Sequence, residues 1–264
     1  MNDEFNAPDG DIILRVQGSP NRDFRVHKIV LSLASPVFKD MFSLPQPRSE
    51  ALEAKGGADT EVVDVTDPPQ ALALVLKLIY PFLPPNIANL DLLVEALVVT
   101  DKYNIEGARA RLRVKLPKFV NKDPLRVYAI ACRFGFDEEA EAVSSLTTGT
   151  YLPALPQLPD DFKYLSPPAY HRLMVVHAKR HDSIEDAVDT VPFQPTCPDC
   201  KLTKSSGGEP KMRTKLARII SRGQPVTVGQ CIEGLGITCT GVCLIKFIAE
   251  GVVKKLGGNA AIQS

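Results

Sequence analysis

The stretch Asp11-Ile12-Ile13-Leu14-Arg15-Val16, followed by Phe24-Arg25-Val26-His27-Lys28-Ile29-Val30-Leu31-Ser32-Leu33-Ala34-Ser35-Pro36-Val37-Phe38-Lys39-Asp40-Met41-Phe42, decides the fold. Ile12, Leu14 and Val16 alternate with Ile13, Arg15 and Gln17, the period of a strand with one apolar face. Gly18 to Asp23 is turn chemistry, and Phe24 with Val26 returns as a second short strand, so a hairpin is expected. From Lys28 the period lengthens, and Ile29, Val30, Leu33 and Ala34 fall on one side of a helix. Ser35-Pro36 reads as an N-cap with proline at the first helical position, opening a helix that carries Val37, Phe38, Met41 and Phe42. Two short helices joined at Ser35 make a helical hairpin over a sheet.

Working outward, residues 44–60 hold Pro45, Pro47, Gly56 and Gly57 among small and charged residues and read as an exposed loop. Glu61 to Val65 is a third strand, and Asp67-Pro68-Pro69 is read as the cap of a helix with Leu72, Val75, Leu76 and Ile79 in a buried stripe. A further helix starts near Asn89 and buries Leu93, Leu97, Thr100 and Tyr103, with Asn104 as its C-cap. Ile105, Ala108, Leu112 and Leu116 line the next one, which Pro117 stops.

An Asp-led strand, a second strand ending in Val26-His27-Lys28, then Val30-Leu31, Ser35-Pro36-Val37-Phe38 and Met41-Phe42 resembles the opening of a BTB/POZ domain. Leu76-Lys77-Leu78-Ile79-Tyr80-Pro81 is similar to the family's Ile-Tyr stretch but has Pro81 where a Thr-Gly turn usually sits. The resemblance implies an α+β fold, a short three-stranded sheet flanked by α-helical hairpins, followed by an all-α extension. It implies a flexible N-terminus over 1–8, the BTB/POZ domain over 9–118, a helical extension over 119–190 and a cysteine-containing helical segment over 191–264. In dimeric members the Asp opening the first strand and the basic residue after the His lie in a charged pocket at or near the dimer interface. Asp11 and Lys28 match those positions, and the competing reading is that each only caps a local element. His27 is expected to be a packed, hydrogen-bonded structural residue. The apolar-x-Glu motif with which some members contact a cullin has its nearest match in Ala51-Leu52-Glu53, whose leading residue is only Ala.

Beyond residue 118, Asp123-Pro124 opens an amphipathic helix ended by Gly135, residues 138–146 form a second, and Leu152 to Pro159 is a connector. Ser166-Pro167 caps one more helix with Tyr170, Leu173, Met174 and His177 along one face. This pattern is similar to the extension of many fungal BTB/POZ chains. Cys197-Pro198-Asp199-Cys200 is a C-x2-C knuckle, and Cys239 with Cys243 has one residue more between them. Four thiolates suit a tetrahedral structural zinc site, and unliganded thiols are the alternative. Metal analysis separates the two: a zinc site predicts about one Zn²⁺ per chain, lost in Cys197→Ser. Cys132 stands in the apolar register of its helix and reads as core packing.

The 264 residues carry 31 basic and 31 acidic side chains, so no global field draws the chain to nucleic acid or anionic lipid. The densest basic run, Arg109-x-Arg111-x-Arg113-x-Lys115, lacks aromatic interleaving and reads as a solvated helix face. Met1-Asn2-Asp3-Glu4-Phe5 has no apolar run behind it, and Val242 to Val253 is broken by Lys246 and Glu250, so neither a secretory signal nor a membrane span is expected. An intracellular protein follows, its cysteines expected as reduced thiols or metal ligands rather than disulfides. No Gly-rich phosphate loop, nucleophile elbow or paired-carboxylate site appears, and His177 with His181 lacks the intervening Glu of a zinc-protease motif. The expected function is non-enzymatic: a protein interaction module that self-associates or docks a partner and requires no cofactor. The alternatives are a substrate-recruiting adaptor of a cullin-type ubiquitin ligase and, with less support, a transcriptional regulator, for which no DNA-reading element follows the first domain.

Overall fold

A computed structural model describes residues 5–6, 8–18, 23–44, 60–83, 85–149, 152, 155–190, 214, 226–227 and 262–263. The chain divides into two units, Met1–Asn121 and Lys122–Ser264.

In the first unit, β1 (Ile12–Val16) lies between β2 (Asp23–Val26) and β3 (Glu61–Val65), antiparallel to the former and parallel to the latter. Ile12, Leu14, Val16, Phe24, Val26 and Val65 form its inner face, all nearly inaccessible to water. The helical hairpin is α1 (Lys28–Ala34) and α2 (Pro36–Ser43). Ser35 is its pivot: extended backbone at φ −141°, a side-chain oxygen that accepts from the Phe38 N–H at 3.1 Å, and a hydroxyl that donates to the Tyr103 carbonyl. One serine thus ends α1, caps α2 and ties the hairpin to the segment 68 residues on. Phe38 stacks on Tyr103 with ring centroids 4.5 Å apart.

Helix α3 (Pro69–Ile79) buries Leu72, Val75 and Leu76 as its periodicity requires. Helix α4 (Leu90–Lys102) is capped by Asn89, which accepts from the Leu92 N–H at 2.8 Å. Asn104, at φ +50°, turns the chain into α5 (Glu106–Arg113), and a 3-10 turn over Leu116–Phe119 carries Pro117.

Three local expectations are corrected. Residues 1–8 are not uniformly a loose tail: Phe5 is 2% exposed, edge-on to Phe24, Tyr80 and Phe82, and Asn6 bridges to Arg25. The face of α1 with Ile29 and Leu33 is not its packing face, because Leu31 enters the core and its neighbours two residues either way point oppositely. Asp67 does not cap α3: Pro68 and Pro69 have no N–H to offer it, and its carboxylate accepts from Lys102 Nζ at 2.9 Å and Tyr103 Oη at 2.5 Å.

The second unit packs α6 (Pro124–Arg133) on α7 (Asp137–Ser144), with a turn at Gly135, φ +67°. Asp123 caps α6, and the buried Tyr128 donates to the Ala169 carbonyl at 2.7 Å, anchoring α8 (Pro167–Thr190). Asp161, 7% exposed, accepts from Arg126 Nε at 2.7 Å. Along α8 Ala169, Leu173 and Ile184 are buried, while Tyr170 is exposed. The domain is followed by further helices, and past Thr190 the two-residue strands Val226–Thr227 (β4) and Ile262–Gln263 (β5) pair in parallel; three of these four residues are β-branched, a composition that favours strands.

His177 of α8 lies 3.0 Å from the Thr147 hydroxyl, which spends its proton on the Ser144 carbonyl, so the imidazole is the donor. Burial lowers the His177 pKa below the ordinary 6.5. The unfolded chain therefore takes up a proton at a higher pH than the folded one does. Stability contributed here is full above pH 6.5 and declines as pH falls below it. Thermal unfolding of the second unit is expected to shift downward between about pH 7.5 and 5.5, with a smaller shift in His177→Gln.

Candidate partner-docking surface

The start of α1 gathers the charged residues singled out in the sequence. Asp11 closes the approach to β1, and its Oδ1 accepts from the backbone N–H of Lys28 at 2.7 Å. That bond satisfies one of the unpaired donors that open a helix. Asp11 and Lys28 are thus brought together, but through the Lys28 main chain. The Lys28 ammonium turns instead to Glu61, with which it forms an ion pair, and lies 5.7 Å from the centroid of the Phe42 ring. Glu61 was not singled out beforehand. The register explains its place: Ile12 pairs with Glu61 across the parallel β1–β3 ladder, setting the carboxylate on the inner face at the sheet end.

Beside this cluster, His27 joins α1 to the end of α3. Its backbone N–H donates to Tyr80 Oη at 2.8 Å, its Nδ1 lies 3.1 Å from the same oxygen, and its Nε2 is 3.3 Å from Asp9. Burial raises the Tyr80 pKa above its usual 10. Both ring nitrogens of His27 are thus engaged, the packed, hydrogen-bonded position expected of it.

Three of the apolar side chains that this unit leaves in water lie on the same hairpin. Ile29 and Leu33, one turn apart on α1, are 64% and 81% exposed, and Val37 on α2 is 41% exposed. Asp11 and Ser35 thus cap the two helices that carry these exposed aliphatics. Leu52 and Glu53, the loop candidates for partner contact, lie outside the described residues, as do Cys197, Cys200, Cys239 and Cys243. Among the described residues, no group of three or more metal-ligating side chains comes together, and no helix is long and apolar enough to cross a membrane.

A mixed sheet in the order β2-β1-β3, an α1–α2 hairpin pivoting on Ser35 and the α3–α5 set coincide with the family model for the BTB/POZ domain, matched over residues 4–119. Residues 4–119 are a BTB/POZ domain. The match begins before Phe5, in keeping with the buried position of that ring. Over 99 residues the chain is 30% identical to TD and POZ domain-containing protein 5 of Mus musculus, a stretch that is 38% of this chain and 26% of that relative. The chain thus spans about a quarter of that curated relative's length. BTB/POZ domains are protein–protein interaction modules and typically non-catalytic.

Proposed function

We propose that the chain is a non-enzymatic interaction protein whose BTB/POZ domain self-associates through the α1 face. The observation that carries this reading is the exposure of Ile29 and Leu33 one turn apart on a helix whose start is fixed by Asp11 and Lys28. The BTB/POZ resemblance supports this reading, because Asp11 and Lys28 match positions that lie at or near the dimer interface in dimeric members. Large apolar side chains that remain in water on a rigid element mark an association surface. Two copies related by a two-fold axis present the same patch to each other, so Leu33 of each helps cover the other. The Lys28–Glu61 pair then forms a partly desolvated rim whose contribution is orientation more than affinity.

The mass of the intact chain in solution tests this reading, with Leu33→Glu as the interface variant. Docking to a cullin rests on Ala51-Leu52-Glu53, and no described residue adds to it.

A further inference from the structure

The basic run Arg109 to Lys115 is not one solvated face. Arg109 pairs back onto Asp101 and Glu106, whereas Arg111 and Lys115, one turn apart, look into a cleft of about 740 Å³ between the end of α3 and the end of α5. Its apolar lining includes Ile79, Phe82, Pro85 and Val114. Phe82 is 43% and Val114 72% exposed, and the adjoining Leu83 is 90% exposed. The charged residues among its described lining are three cations, Lys77, Arg111 and Lys115, with no carboxylate. In a chain of zero net charge that is a local concentration of one sign.

The cleft is preformed. Tyr80 and Phe82 stack at 5.7 Å, and Phe5 stands edge-on to both. Arg111 donates to the Leu78 carbonyl, tying α5 to the end of α3 and holding the guanidinium at the rim. Rigid apolar walls with a few fixed polar groups are the usual make-up of a binding cleft. Walls held in place before binding lower the ordering cost of association.

We propose that this cleft docks an acidic segment of a partner protein, its apolar side chains seated against Phe82 and Val114 and its carboxylates facing Arg111 and Lys115. The site is formed by other elements than the α1 face and stands whether or not that face self-associates. A concave, walled shape favours a peptide over a flat lipid surface.

Selection of a phage-displayed random peptide library on the intact chain tests the proposal. Recovered peptides are expected to combine acidic with large apolar residues. Their affinity should drop at least about tenfold in Val114→Asp and in Lys115→Glu, and fall as salt rises. Lys118→Glu makes the same change of charge at an exposed position that does not line the cleft, and should leave binding unchanged. Val114 is so exposed that its replacement leaves the fold intact, which circular dichroism checks. Three results would overturn the proposal: no enrichment, peptides without an acidic bias, or peptides that bind Val114→Asp as well as the unaltered chain. Sedimentation with phosphatidylserine–phosphatidylcholine vesicles, lost in these variants and with no peptide recovered, would assign the cleft to a membrane surface instead.

Discussion

Asp67→Ala is expected to lower the local stability of the α3–α4 region by roughly 2–4 kcal/mol. Asp67 is 6% exposed and binds two partners of different kinds. Tyr103, 7% exposed, gives its hydroxyl proton to the carboxylate and loses that acceptor if the carboxylate goes. Burial and the neighbouring carboxylate both push the Tyr103 pKa well above its usual range, so the phenol stays neutral and needs that acceptor. Lys102 is 42% exposed and keeps access to water, which holds the cost below that of breaking a fully buried ion pair. Tyr103 also carries the stack on Phe38 and the carbonyl that Ser35 holds, so disorder there spreads to the α1–α2 hairpin. Hydrogen exchange of the intact chain reads the effect: amides of α3 and α4 should exchange roughly 30–1,000-fold faster. Asp67→Asn retains an acceptor for Tyr103 and should lose less. Unchanged protection in the alanine variant would show that this buried cluster does not organise the domain.

Leu33→Glu is expected to weaken self-association roughly 100-fold or more. Full burial of a leucine side chain is worth about 1.5–3 kcal/mol, and an isologous interface counts it once from each copy. The glutamate also brings two like charges toward a shared axis. Because Leu33 is 81% exposed within its own chain, the substitution removes no core contact, and at dilutions where both are monomeric the variant should unfold as the unaltered protein does. That asymmetry, lost association with retained stability, separates an interface role from a structural one. Lys28→Ala acts differently: it leaves Glu61, 29% exposed, without its cation and is expected to cost both some stability and some association.

Much of the fold was legible because its signals are local. Period-2 alternation placed β1, and Ser35-Pro36, Asn89, Asn104 and Asp123-Pro124 marked helix ends through cap chemistry that needs only near neighbours. What escaped depends on long-range pairing. Glu61 becomes the partner of Lys28 only once β3 lies parallel to β1, a register that no short window specifies. Asp67 sits where a cap would sit, yet its partners are 35 and 36 residues away. Phe5 is a lone aromatic in a polar run, and only the assembled Phe24–Tyr80–Phe82 cluster explains its burial. On α1 an apolar side of the helix was visible, but the choice between core and surface was made by Leu31. The basic run was visible too, and its division between Arg109 on one side and Arg111 with Lys115 on the other required the cleft.

The central claim is that the α1 face joins two copies of this chain. Sedimentation equilibrium of the intact protein, at concentrations on the order of tens of micromolar, tests it most directly. The account predicts a mass twice the 28.8 kDa of one chain, reduced to one chain in Leu33→Glu. A strict monomer for the unaltered protein, or a dimer that Leu33→Glu leaves intact, contradicts it.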